Sequence, residues 1–109
     1  WALWLSGKKD QALTEGERAL ALAPNDPRVK DTLGTILIEK GPHDRAVQLL
    51  QAAATALPED PTIQYHLALA LELTGETERA RELLQGALEG GKNFAERPEA
   101  QKLLDSLPR

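Results

Sequence analysis

Residues 27–60 read PRVKDTLGTILIEKGPHDRAVQLLQAAATALPED, and residues 61–94 read PTIQYHLALALELTGETERARELLQGALEGGKNF. Laid over each other without a gap, these 34-residue stretches share Pro27/Pro61, Leu33/Leu67, Leu37/Leu71, Gly41/Gly75 and Arg45/Arg79. They also share Ala46/Ala80, Leu49/Leu83, Leu50/Leu84, Gln51/Gln85 and Ala53/Ala87. Carried backwards, the same offset matches Leu3, Gly7, Asp10, Ala12, Ala19, Pro24 and Asp26 to Leu37, Gly41, Asp44, Ala46, Ala53, Pro58 and Asp60. A fixed period of this size marks an array in which each unit buries its apolar face against its neighbours.

Each unit reads as two antiparallel helices. Asp26-Pro27 and Asp60-Pro61 are start signals, a capping side chain followed by a residue whose missing N–H costs nothing in the first turn. Val29, Leu33, Ile36 and Leu37 then recur at helical spacing. Gly41-Pro42 stops that helix, and Gly75 occupies the same place one unit later. In the second helices Ala46, Leu49, Leu50 and Ala53 repeat as Ala80, Leu83, Leu84 and Ala87. Small residues let helices approach and large ones fill the grooves between them.

Composition agrees. Of 109 residues, 41% are hydrophobic and 28% charged, a globular balance, and only 4% are aromatic, too few for a β-sandwich or barrel core. The formal net charge of −4 excludes a phosphate-binding surface as the main activity, so no nucleic acid is expected. With no cysteine there is no disulfide frame, thiolate metal site or cysteine nucleophile. The apolar runs are far shorter than the ~20 residues that span a bilayer, so no direct membrane insertion is expected. The chain has no methionine and opens Trp-Ala-Leu-Trp, which reads as a fragment of a longer protein. Its compartment is therefore unknown, since a targeting segment would lie elsewhere.

The period, Leu33-Gly34 (Leu67-Ala68 one unit on), the turn glycines, Ala46, Ala53 and Pro58 together resemble the tetratricopeptide repeat pattern across residues 1–94. Lys30 and Gln64 stand where the family has an aromatic residue, Leu37, Leu71, Leu50 and Leu84 replace its tyrosines, and Lys92 replaces the closing proline. The resemblance implies an all-α, right-handed superhelix. Residues 1–26 form a partial repeat, 27–60 and 61–94 two complete ones, and 95–109 a C-terminal capping helix. In the partial repeat, Trp1 to Leu5 would be only the end of a first helix, about half of which is cut off. Gly90-Gly91 ends the last repeat, Arg97-Pro98 opens the cap with Ala100, Leu103, Leu104 and Leu107, and Phe94 serves as an apolar peg beneath it. The truncated edge, residues 1–22, carries a risk of self-association.

Nothing in the chain carries an enzyme's chemistry. His43, in a turn, and His66, on a first helix, lack a second ligand at metal spacing, so no metal and no cofactor is expected, and His43 reads as a solvated turn residue. There is no phosphate-binding glycine loop and no serine elbow. Glu78 and Glu82 beside Arg79 and Arg81 read as a solvated helix face.

In arrays of this family the first helices line a concave groove. The corresponding faces carry Arg28, Asp31, Thr32, Thr35, Ile38 and Glu39, then Thr62, Tyr65, His66, Leu69, Glu72 and Leu73, with Trp1, Trp4 and Leu5 continuing them. Trp4, Ile38, Tyr65, Leu69 and Leu73 are apolar or aromatic on the wetter side, the residue types that anchor partners. The family's carboxylate-clamping members use basic groove residues, whereas Asp31, Thr35, Thr62 and His66 stand there, with Glu39 and Glu72 nearby. An acidic tail would be repelled, and a neutral or basic, partly apolar protein or peptide segment suits better.

The string Gly90-Gly91-Lys92-Asn93-Phe94, followed by Glu99-Ala100-Gln101-Lys102-Leu103-Leu104, is also similar to C-terminal repeats of bacterial envelope proteins of exopolysaccharide and exosortase systems. The expected function is a protein-interaction scaffold. The alternative is a structural, capped end of a longer array in an envelope assembly, with recognition in other repeats. A third is carbohydrate contact through Trp1, Trp4 and Tyr65.

Overall fold

The structure, a computed structural model, describes residues 2–90 and 93–108, with side chains from residue 8 onward. Its described residues form six α-helices: α1 (Ala2–Leu22), α2 (Pro27–Lys40), α3 (His43–Ala56), α4 (Pro61–Leu73), α5 (Thr77–Glu89) and α6 (Arg97–Ser106). The caps are the ones the sequence encodes. Asp26 Oδ1 accepts the Arg28 N–H at 2.9 Å, and Asp60 Oδ1 accepts those of Thr62 and Ile63 at 3.0 and 3.3 Å. Each bond satisfies an N–H that has no partner inside its helix. Gly41 and Gly75 end α2 and the α4 turn with φ of 72° and 86°, the left-handed region that only glycine enters without strain.

One expectation is corrected. The repeat register puts a turn at Gly7, yet α1 runs unbroken from Ala2 to Leu22. Gly41 is backed by Pro42, which cannot extend a helix, whereas Gly7 is followed by Lys8-Lys9-Asp10-Gln11-Ala12. A glycine alone inside a helix costs only about 1 kcal/mol, and continued backbone bonding offsets that.

Cross-links set the layers. Asp31 of α2 meets His66 of α4, and Thr62 of α4 meets Glu96 at the start of α6, so α2, α4 and α6 stand side by side. Glu17 of α1 binds Arg45 of α3, and Gln51 of α3 binds Arg79 of α5, which makes the second layer. The core lies between the layers. Leu33, Leu37, Leu50, Ile63, Leu67, Leu71 and Leu84 are its large buried side chains, each worth roughly 1.5–3 kcal/mol on burial. Ala46, Ala53, Ala68, Ala80 and Ala100, all fully buried, keep the helices close. At Gly34 the approach is closer still, since a Cβ there would lie 2.6 Å from Leu50 Cγ.

Beyond α5, Gly90 ends the helix and α6 packs against it, with Ala100 and Leu107 buried. Arg97 donates to the Leu88 carbonyl at 2.8 Å and ties the connection to α5. Phe94 is half-buried and packs against the core.

Candidate functional site

The sequence expects the groove residues on the free face of the α2–α4–α6 layer. Helical spacing alone puts Arg28, Asp31, Thr35 and Ile38 on α2 and Tyr65, His66, Leu69 and Glu72 on α4. The side chain of Trp4, like all of Trp1, lies outside the described residues.

Packing divides the others. Ile38 and Tyr65 are half-buried and rest on the core. Leu69 is half-buried without joining that contact set, while Leu73 is 45% exposed, next to exposed Glu72. On α4 the apolar surface that a partner could cover is therefore Leu69 and Leu73, at its C-terminal half, while Leu22 at the end of α1 is exposed apart from them.

The polar residues are organised locally. Thr32 and Thr35 donate their hydroxyls to the carbonyls of Arg28 and Thr32, at 3.0 and 2.7 Å, so neither projects a donor across the groove. Asp31 and His66 face each other from neighbouring helices, Nδ1 to Oδ1 at 2.8 Å, with only 20% of each side chain exposed. A carboxylate has only lone pairs to offer, so the imidazole Nδ1–H is the donor. The pair staples α2 to α4. Tyr65 stacks obliquely beside His66, ring centroids 5.8 Å apart. Burial, then the carboxylates of Glu99 and Glu96, push the Tyr65 phenol above its ordinary pKa. Those glutamates place α6 against the tyrosine edge of α4.

At the N-terminal end of α4 a cleft of about 730 Å³ opens between the α3–α4 turn and residues 93–96. Leu57 and Phe94 form part of its wall, with Thr62 and Glu96 joined by a 2.9 Å hydrogen bond beside them. Arg28 is on its rim. Sequence reasoning placed Arg28 and Thr62 on the groove but did not find the cleft, because residues 95 and 96 lie beyond the repeat and nothing earlier in the chain gives their place.

Two readings of individual residues change. His43 opens α3, and its Nε2 lies 3.1 Å from the Ile38 carbonyl, so it satisfies the end of α2 rather than pointing into solvent. Arg79 is more than a solvated residue, since it donates to Gln51 of α3 at 2.8 Å and to Glu76 at 3.3 Å. Arg45 makes the equivalent link one unit earlier, bidentate to Glu17 at 2.6 and 2.7 Å. Both links span 28 residues, a second periodicity that the shared Arg45/Arg79 could have revealed. Among the described residues no group of three or more His, Cys, Asp or Glu is arranged to hold a metal, and no helix is long and apolar enough to cross a membrane.

No curated protein matches the chain. Solved structures do. A mutant O-GlcNAc transferase of Thermobaculum terrenum is 27% identical with a TM-score of 0.79, over 91% of this chain and 18% of that one. MamA of Desulfovibrio magneticus RS-1 is 26% identical with a TM-score of 0.77, over 94% of this chain and 56% of that one. The chain thus spans well under two thirds of either. The type III secretion chaperone SycD of Yersinia enterocolitica, solved with a peptide of the translocator YopD, is 26% identical with a TM-score of 0.74, over 94% of this chain and 79% of that one. The family model described as tetratricopeptide repeat matches residues 32–103, most of α2 through α6. With six helices in two layers among the described residues, a 34-residue period and that match, the chain belongs to the tetratricopeptide repeat family.

Proposed function

We propose that this chain is a protein-interaction scaffold that holds a partner's polypeptide segment along the free face of α2 and α4. The observation that carries the proposal is Leu69 and Leu73. They form a partly exposed apolar strip on a helix whose other large apolar side chains are taken up by the core, and a protein surface gains most from covering such residues. The SycD complex supports a peptide as the kind of ligand such an array can hold. Asp31 is taken up by His66 and Glu39 by Lys9, while exposed Glu72 stands next to Leu73, which favours a neutral or basic, partly apolar segment over an acidic one. The groove offers hydrogen-bonding and apolar groups without a nucleophile paired to a base, which fits binding rather than catalysis.

The test is capture of partners by the immobilised chain and by two surface variants. Leu69→Glu with Leu73→Glu should weaken capture of a given partner by about tenfold or more, while exposed Glu82→Lys on the opposite layer leaves it unchanged. Urea denaturation should find both variants within about 1 kcal/mol of the parent. If all three proteins retain the partner equally, recognition lies outside this face and the chain serves as the capped end of an array.

A further inference from the structure

We infer that His66 reads a carboxamide, the side chain of a glutamine or asparagine on a partner's polypeptide segment, with Asp31 as its positioning residue and Tyr65 as the second contact. The inference rests on the scaffold reading and names one side chain that the segment carries. It starts from a ring nitrogen that the chain itself leaves open. Asp31 accepts the His66 Nδ1–H at 2.8 Å, which fixes the tautomer, so in the neutral ring Nε2 carries a lone pair. Among the described residues nothing bonds to Nε2 or to the Tyr65 hydroxyl, and no buried side-chain nitrogen or oxygen is left without a partner. Both atoms therefore reach solvent, although only 20% of the His66 side chain is exposed.

The two open atoms differ in kind. Burial and the carboxylates of Glu99 and Glu96 favour the protonated Tyr65 phenol, which can donate, whereas Nε2 of the neutral ring can only accept. The two rings are tilted by 45° with centroids 5.8 Å apart, and a small planar group fits beside both. A primary carboxamide is planar and carries the matching pair, an N–H for Nε2 and an oxygen for the Tyr65 O–H. A carboxylate has no proton to give Nε2, and an ammonium or guanidinium has no acceptor for the phenol. Elsewhere on α2 and α4 the threonine hydroxyls are spent, since Thr32, Thr35 and Thr62 all donate within the chain. The small exposed fraction of His66 suits the tip of a side chain better than a main chain running across the helices. Asp31 holds the imidazole in place beforehand, so the ligand has little ordering left to bring about.

The experiment is a titration of the uniformly 15N-labelled chain at about pH 8, above the ordinary histidine range. The probes are N-acetyl-glutamine methylamide and its glutamate and alanine counterparts, followed at the histidine ring nitrogens and the backbone amides. The glutamine probe should move the His66 Nε2 resonance saturably and leave the ring of His43, which serves the end of α2, where it was. The other two probes have the same main-chain amides without the carboxamide, and should leave His66 unmoved. His66→Phe keeps a ring without nitrogens and should abolish the glutamine response at the Tyr65 and Leu67 amides. Asp31→Leu should weaken that response about tenfold, the cost of ordering one freed side chain. Asp31→Asn, whose carbonyl still accepts Nδ1–H, should restore it. No His66 shift with glutamine, an equal shift with alanine, an unchanged response in His66→Phe, or a loss in Asp31→Asn as large as in Asp31→Leu overturns the subsite. Shifts confined to Leu69 and Leu73 overturn it too but leave the scaffold reading standing, which partner capture by the strip variants tests separately.

Discussion

Units 27–60 and 61–94 are built on one register yet bury different things. In the earlier unit Gly34 lets Leu50 lie directly on the backbone of α2; in the later one Ala68 stands at the same place, fully buried, opposite Leu84. Val29 and Ile36 are half-buried in α2, whereas their counterparts Ile63 and Ala70 are fully buried in α4. The difference comes from position rather than from side-chain chemistry. Helix α4 lies between α2 and α6 in its layer, while α2 is flanked by α4 and by α1 from the other layer. In a solenoid each unit's burial is set by its neighbours, so identical residues are worth different amounts in different units.

The largest effect should come from the two leucines that face these contrasting positions. Leu50→Ala and Leu84→Ala each remove a fully buried side chain, and roughly 3–4 kcal/mol of stability should go with each, measured by urea denaturation. Leu50→Ala should be the costlier. Opposite it Gly34 has no methyl to shift into the space, whereas Ala68 partly lines the space left at Leu84, and the cost of truncation grows with the cavity that remains. Equal losses would mean that the two interfaces relax alike and that Gly34 has no special place in the packing.

Gly34→Ala inverts the same comparison. Its new Cβ would sit 2.6 Å from Leu50 Cγ and 2.9 Å from Cδ2, so the leucine must move as a whole. Overpacking of this kind costs about 1–3 kcal/mol, against about 1 kcal/mol gained from helix propensity, so a net loss of about 1 kcal/mol is expected. Combining it with Leu50→Val should recover part of the loss, and a double-mutant cycle reads the coupling directly. In the later unit Ala68→Gly should also destabilise, there through propensity and a lost methyl contact. A stabilising Gly34→Ala would show that the helices part easily at this point.

The caps offer a gentler contrast. Asp60 accepts two backbone N–H groups and Asp26 one. Asp60→Ala should therefore cost about 1–2 kcal/mol and Asp26→Ala about 0.5–1 kcal/mol, both seen as a shifted urea midpoint with an unchanged slope.

What the sequence discloses follows the same division. Periodic features, namely the caps, the Leu/Ala stripes and the turn glycines at 41 and 75, were legible because every unit repeats them. Gly7 misled for the same reason, since its register matches Gly41 but its successor is a lysine and not a proline. Features made by two units together were not legible one unit at a time. The Asp31–His66 staple joins residues 35 apart, one more than the period, and the carboxylates that act on Tyr65, Glu96 and Glu99, stand outside the repeat. Helical spacing could give the groove residues only a register on α2 and α4. Which of them support the core and which remain open, Ile38 and Tyr65 as against Leu69 and Leu73, is decided by neighbouring helices.

The smallest predicted effect separates the two units by pH. Arg45 and Arg79 occupy the same place and reach back the same distance, but Arg45 grips the carboxylate of Glu17 while Arg79 meets the amide of Gln51. The two hydrogen bonds from Arg45 hold the Glu17 carboxyl below its ordinary pKa, more than desolvation raises it. A carboxyl whose pKa is lower folded than unfolded adds stability above its unfolded value, and loses that contribution as pH falls through the folded one. With some 40% of both side chains still exposed, solvent screening limits the pair to at most ~0.5 kcal/mol. Arg45→Met should therefore destabilise slightly at neutral pH and in low salt, and the difference from the parent should vanish below the glutamate range or in molar salt. Arg79→Met has no carboxylate opposite it on α3, only Glu76 on its own side at 3.3 Å, so its smaller effect should change little over the same pH interval. A thermal-melt series of the three proteins across that interval decides the matter: parallel curves for both variants would mean that the Arg45–Glu17 pair adds nothing beyond what a neutral amide supplies.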